Sequence, residues 1–195
     1  MARKARIVRK TTETDIQLTI DLDNATGSSI DTTIPFFDHM LELFARHGFF
    51  KLVIKSKGDT HIDDHHLVED LGICLGQAVG QALGKKTGIN RYGSASVPMD
   101  ECLCRVDLDI SGRPYLIYKV KFERRKIGGF DPALVKEFFK AFTDHSGITL
   151  HINLAYGNNS HHIIEVIFKT FARALRSAVT FNEDIDGVLS TKGSL

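Results

Sequence analysis

His47–Ile54 reads HGFFKLVI, and His145–Ile152 reads HSGITLHI. Each begins where a short segment with helical periodicity ends, Asp38–His47 in one case and Ala133–His145 in the other. Counting back eight residues from the two histidines lands on His39 and Glu137. Counting forward, each stretch leads to a double histidine: Asp64-His65-His66-Leu67-Val68-Glu69, and Ser160-His161-His162-Ile163-Ile164-Glu165. The interval is 26 residues from His39 to His65 and 24 from Glu137 to His161, so the two runs keep nearly the same step. The chain is therefore a duplication: helix, strand, loop and long helix, preceded in each half by strands. The halves divide near Arg91–Gly93, giving repeats 1–92 and 93–195 within one compact domain.

Outward from the repeat, the strands alternate. Ile16, Leu18, Ile20 and Leu22 share one face, with Gln17, Thr19, Asp21 and Asp23 on the other. Cys102, Cys104, Val106, Leu108 and Ile110 alternate likewise. Leu116, Tyr118, Val120 and Phe122 follow the turn SGRP, which predicts a hairpin or neighbouring strands. Two long segments carry the helical period instead. One stripe is Leu67, Leu71, Cys74, Leu75, Ala78, Val79 and Ala82; the other is Ile164, Ile167, Phe168, Phe171, Leu175 and Ala178. Strands and helices without a regular βαβ rhythm predict an α+β fold, each β-sheet covered on one face by helices.

Composition narrows the function. With 25 Lys+Arg against 24 Asp+Glu, the net charge of +1 gives no field to recruit nucleic acid or an anionic membrane. No apolar run is long enough to span a bilayer. The basic start MARKARIVRK runs into polar TTETD, so it is not read as a secretory signal. Three cysteines, an odd number, argue against a disulfide framework and for a reducing cytoplasm. Nine histidines point to the chemistry instead.

Adjacent residues on an α-helix project about 100° apart, so His65 and His66, or His161 and His162, do not easily share one ion. A Glu three or four positions on does face its His. Each helix start therefore offers ligands to two ions. Two copies supply four imidazoles and two carboxylates, and His39 and Glu137 raise the total to eight, or four for each of two metals. Mixed imidazole and carboxylate suits Mn, Fe or Zn rather than Ca or Mg. The positive end of a helix dipole opposes this, and Asp63, Asp64, Glu69 and Glu165 have to offset it.

Other residues read more blandly. Cys102 and Cys104 sit in an alternating strand and read as core thiols. His47 and His145 read first as helix C-terminal caps, and His61 and His151 as structural. Glu123, Arg124, Arg125 and Lys126 read as a solvated edge or turn. Arg91 in NRYG and Arg113 in SGRP are turn arginines, positions where anion forks are often mounted. Ser190-Thr191-Lys192-Gly193 is either a phosphate clamp or a frayed end, the latter by composition alone.

The motifs FFDHML (36–41), HIDDHHLVED (61–70), VPMDE (97–101), SGRPYL (111–116), NSHHIIE (159–165), FKTFARALR (168–176) and STKG (190–193) run through nearly the whole chain. In that order they resemble imidazoleglycerol-phosphate dehydratase of histidine biosynthesis, in the single-function form without an added phosphatase domain. The resemblance implies the ribosomal protein S5 domain 2-like fold, a cytoplasmic enzyme, and a 24-subunit homo-oligomer with cubic symmetry whose sites take ligands from neighbouring subunits. It implies two manganese ions held by His39, His65, His66, Glu69, Glu137, His161, His162 and Glu165. At Glu137 many members carry a histidine, in an HFF triplet that here reads EFF. It implies phosphate contacts from Arg91, Arg113, Lys169, Ser190 and Lys192. The tail departs from the usual SSKG at Thr191, and Leu43 stands where some members have a Gln. Glu13 matches the family's acid/base glutamate.

That chemistry removes water from imidazoleglycerol phosphate, a small phosphorylated imidazole, to give imidazole-acetol phosphate. The hydrogen to be lost is not activated by a carbonyl. A ring held as imidazolate between two metals expels the neighbouring hydroxide to give a diazafulvene-like intermediate, whose adjacent proton is acidic enough for Glu13. Asp100 either assists ring orientation or proton movement or is a structural turn carboxylate. Two rival readings stand beside this one: a dinuclear metal hydrolase, and a non-catalytic metal-binding protein.

Overall fold

The computed structural model describes residues 3–123 and 126–195; Arg124 and Arg125, read above as part of a solvated edge, and Met1 and Ala2 of the basic start lie outside the described residues. The first repeat contributes β1 (Lys4–Lys10), β2 (Thr14–Asp21), β3 (Ser29–Asp31), α1 (Pro35–Gly48), β4 (Lys51–Gly58) and α2 (His65–Leu83). The second contributes β5 (Tyr92–Met99), β6 (Cys102–Asp109), β7 (Tyr115–Lys119), α3 (Leu134–Ser146), β8 (Thr149–Tyr156) and α4 (Ser160–Val179). The two sheets have the same order, β1-β2-β4-β3 and β5-β6-β8-β7, with helices on one face of each. The fold is α+β and internally duplicated.

The alternation in β2 and β6 is what lays down each sheet. Ile16, Leu18 and Ile20 on β2, and Cys102, Cys104 and Val106 on β6, are buried to the last few per cent, with their neighbours partly wet. Antiparallel hairpins β1–β2 and β5–β6 open each repeat.

The SGRP turn does not close a hairpin. β8 lies between β6 and β7, and β7 pairs with it in parallel, Tyr115 opposite Thr149 and Lys119 opposite Asn153. The turn is held to the start of β8 instead: Ser111 Oγ lies 3.2 Å from Thr149 Oγ1, which donates to Arg113 O at 2.9 Å. In the first repeat, β3 takes the same place beside β4, and its three residues are too few to show a periodicity.

Packing crosses the repeats. α2 lies on its own β1 and β2 but also on α3 of the second repeat; α4 lies on β5 and β6 but also on α1 of the first. Glycine permits the first of these approaches. A Cβ on Gly72 would stand 2.5 Å from Phe138 O, and one on Gly76 2.5 Å from Phe142 O. The second approach is aromatic. Phe37 on α1 meets Phe168 on α4 at 6.0 Å between ring centroids and Phe138 on α3 at 5.2 Å, and Phe44 stacks on Phe171 of α4 at 5.5 Å. Each such ring removed from water contributes roughly 1.5–3 kcal/mol, so the repeats share one core. The consequence for chemistry is that α1 sets His39 against the start of α4.

Candidate active site

His39 stands just past the first turn of α1. Its place is fixed by Pro35 at the helix start and by Asp38, whose Oδ1 accepts from Thr32 N at 2.8 Å and from Thr32 Oγ1 at 2.5 Å. His39 Nε2 lies 3.8 Å from Glu165 Oε2, and His161 Nε2 lies 3.4 Å from the same oxygen. One ligand atom from each of His39, His161 and Glu165 falls within 4.8 Å of the others. Two imidazoles and a carboxylate form a donor set that suits Mn, Fe or Zn. Lys169 Nζ binds the other Glu165 oxygen at 2.7 Å. Burial alone pushes Glu165 up, but the hydrogen bond and charge of Lys169, with His39 and His161, outweigh it and leave the carboxyl lowered.

The matching pair on α2 is His65 Nε2 and Glu69 Oε2, 3.4 Å apart across one turn. Glu137, the counterpart of His39, stands on α3, the helix that packs on α2. It is half-buried, but among the described residues it does not close a cluster with His65 and Glu69.

The second histidine of each pair turns away from the first. The rings of His65 and His66 are inclined at 86°, and so are those of His161 and His162. His66 Nδ1 meets Asp59 Oδ2 at 3.0 Å and Glu13 Oε2 at 3.9 Å; His162 Nδ1 meets Glu101 Oε2 at 2.8 Å and Asp100 Oδ2 at 3.8 Å. The carboxylates raise both histidine pKa values, and His162 in turn holds Glu101 down at about 2. Glu13 is at the tip of the β1–β2 hairpin. That tip is pinned to α2 by Thr14 Oγ1, which donates to Asp70 Oδ2 at 2.5 Å, while Arg9 pairs with Asp70 Oδ1 at 2.9 Å.

Asp59 and Glu101 escaped the sequence reading, which singled out Asp100 in the same turn. Asp100 has a positive φ of 47° and a largely exposed side chain, so it shapes the tip while Glu101 makes the short contact. The repeat contains a signal for Glu101, since Glu13 and Glu101 each immediately precede the second strand of their hairpin. Asp59 carries no such signal.

The phosphate candidates fall in two places. Arg91 holds Asp109 with two bonds, at 2.7 and 3.0 Å, and donates to Leu189 O in the tail at 2.7 Å. The tail continues through Ser190, whose oxygen atoms accept from Lys192 N and Gly193 N, and ends against Gly112, beside exposed Arg113. Arg91, the Arg113 turn and the Ser190–Lys192 tail are thus neighbours, whereas Lys169 is engaged by Glu165.

His145 Nδ1 donates to Ala141 O at 2.9 Å, the cap expected of it. His47 has its pKa lowered by burial and by Lys169, Arg173 and Arg46, so it faces the basic side of α4. Burial pushes the thiols of Cys74 and Cys104 up to about 12 and that of Cys102 to about 11; they are core groups, not ligands. No helix among the described residues is long and apolar enough to cross a membrane.

Residues 32–175 match the family model of imidazoleglycerol-phosphate dehydratase. The chain is 62% identical over 194 residues to the imidazoleglycerol-phosphate dehydratase of Syntrophus aciditrophicus, covering 99% of this chain and 98% of that one. It is 55% identical over 195 residues to the protein of that name from Geobacter metallireducens, across the full length of both. Among solved structures, imidazoleglycerol-phosphate dehydratase from Staphylococcus aureus superposes with a TM-score of 0.84 at 41% identity, covering 92% of this chain and 99% of that one. The enzyme from Pyrococcus furiosus gives the same TM-score at 37% identity, covering 97% and 100%.

Proposed function

Because this chain belongs to the imidazoleglycerol-phosphate dehydratase family, and is thus a hydro-lyase of histidine biosynthesis, we propose that it converts D-erythro-imidazole-glycerol phosphate to imidazole-acetol phosphate with two manganese ions. The hydrolase and metal-storage readings give way to this one. The observation that carries the manganese reading is the meeting of His39, His161 and Glu165, a donor set assembled from both repeats. His65 and Glu69 start the second set, to which Glu137 belongs on the helix packed against α2; His66 and His162 contribute their ring nitrogens from the same helix starts. When bound, the ions act as Lewis acids on the substrate's ring nitrogens and lower the pKa of its N–H.

The chain's own groups do the rest. Glu13, on an exposed tip 3.9 Å from His66, takes the proton from the carbon next to the one that loses hydroxide. Arg91, Arg113, Ser190 and Lys192 grip the phosphate, and Lys169, held by Glu165 within one protomer, adds an ammonium beside the metal ligands. Among the described residues, each ligand group on one protomer stops at two or three donors. That supports sites completed by neighbouring subunits; a 24-subunit shell, in the cytoplasm, is proposed from the family resemblance alone. Manganese-loaded protein incubated with imidazoleglycerol phosphate yields the enolisable ketone; absence of that product overturns the reading.

A further inference from the structure

Glu13 and Glu101 hold the same position in the duplicated unit. Leu52 and Leu150 are equivalent in the repeat and pair with Ile20 and Leu108, which makes β2 and β6 correspond residue for residue, and both glutamates immediately precede these strands. Their environments have nevertheless diverged. Glu101 is tied down: Oε2 meets His162 Nδ1 at 2.8 Å, and Oε1 accepts from Asn159 N at 2.9 Å and from Cys102 Sγ at 3.2 Å. Glu13 has no such bond, lies 3.9 Å from its histidine, and is 52% exposed. In the first repeat Asp59 holds the histidine instead, from the end of β4, with its side chain only 14% exposed.

The second repeat does not copy Asp59. β8 takes up one extra residue where its register on β6 shifts, so Tyr156 stands opposite Leu103 as Lys57 stands opposite Asp15; Gly157 therefore answers to Gly58, and Asn158 to Asp59. Asn158 offers an amide where Asp59 offers a carboxylate, and the histidine of that half is reached from the hairpin tip.

We propose that Glu101 is a positioning residue for His162 and Asp59 a positioning residue for His66, an exchange that releases Glu13 from holding its histidine. A carboxylate accepting from Nδ1–H fixes both the ring's orientation and its tautomer, leaving the lone pair on Nε2 to face a ligand. The inference rests on the manganese reading above.

The test measures manganese retained by the purified oligomer against a graded chelator. Glu101→Ala weakens the ion that His162→Ala removes, and Asp59→Ala weakens the ion that His66→Ala removes, each by about 10- to 100-fold. Glu101→Gln and Asp59→Asn, whose amide oxygens still accept from Nδ1–H, recover most of the affinity. Glu13→Gln keeps both ions and loses turnover. Ring-nitrogen NMR of the unsubstituted holoprotein, which needs no variant to fold, finds His66 and His162 protonated at Nδ1. Wild-type protein that holds no manganese sinks the metal reading and this inference with it. Two tightly held ions in wild type, together with undiminished affinity in Glu101→Ala or a bare Nδ1 in the NMR, overturn this inference alone.

Discussion

His39 and Glu165 come from opposite repeats, yet Nε2 of one lies 3.8 Å from Oε2 of the other. The packing of α1 on α4 makes this contact, and the Phe37 and Phe44 rings hold the two helices in place. Groups that serve one ion lose it together. His39→Ala and Glu165→Gln should therefore each empty the same manganese site, and the double variant should lose no more than either alone. Metal analysis by atomic emission decides it; loss of a second ion in the double variant contradicts the shared site.

The two histidines of a pair should behave in the opposite way. His65 faces Glu69 at 3.4 Å while His66 turns toward Asp59, with the rings at 86°. His65→Ala and His66→Ala should each cost about one ion per subunit, and a different one. A protein in which both substitutions leave the same single ion in place would reverse this division.

Much of this arrangement was legible because a helix start imposes angles: HHxxE alone says that the two histidines diverge and that the Glu faces one of them. The duplication, too, was visible in HGFFKLVI and HSGITLHI. What sequence could not supply was any relationship made by tertiary packing. Nothing in SGRP says that β8 will slip between β6 and β7, since parallel pairing to a later strand leaves no local pattern. Asp59 follows β4 where the second repeat has Asn158, not a carboxylate, so its bond to His66 emerges only from the fold. Glu101 was readable in principle, one residue beyond the Asp100 that drew attention.

Far from the site, Arg3 ties the start of the chain to both repeats. It binds Asp23 through Nε at 3.1 Å, donates to Val179 O, and lies over the Phe181 ring. Arg3 lowers the Asp23 carboxyl below its ordinary 3.8 through that hydrogen bond, against a smaller cost of burial. A depressed folded pKa adds stability above the unfolded pKa, and that stability disappears as pH falls through the folded value. Asp23→Asn should thus destabilise at pH 7 by roughly 0.5–1 kcal/mol, a figure discounted for screening because the Asp23 side chain is 38% exposed. Thermal melts of both proteins should converge as pH drops below about 3.8. A gap that persists there, or that opens at low pH, assigns the wrong sign.

The C-terminal tail carries the last expectation. Asn182 N and Gly88 O bond at 2.8 Å, Gly88 N and Gly187 O at 2.7 Å, and Arg91 donates to Leu189 O, so the chain is anchored up to that residue. Beyond it, Ser190–Leu195 is mostly exposed, and its only hydrogen bonds among the described residues are to residues of the tail itself. Such a segment buries little against the ordering entropy it costs to hold still. A phosphate dianion offsets that cost: Lys192 adds charge, Ser190 a hydroxyl, and Gly193, at φ 71°, a backbone free to close around an oxygen. Arg91 and Arg113 wait on firmer turns. Removing Ser190–Leu195 should leave the melting temperature, metal content and oligomer mass unchanged while KM for the phosphorylated substrate rises steeply. Lys192→Ala alone should cost about 1.5–3 kcal/mol of substrate binding, the range for a hydrogen bond to a charged group, or roughly 10- to 150-fold in KM. Steady-state kinetics on the two variants decide it: a truncated enzyme with wild-type KM and kcat would make the tail a frayed end and nothing more.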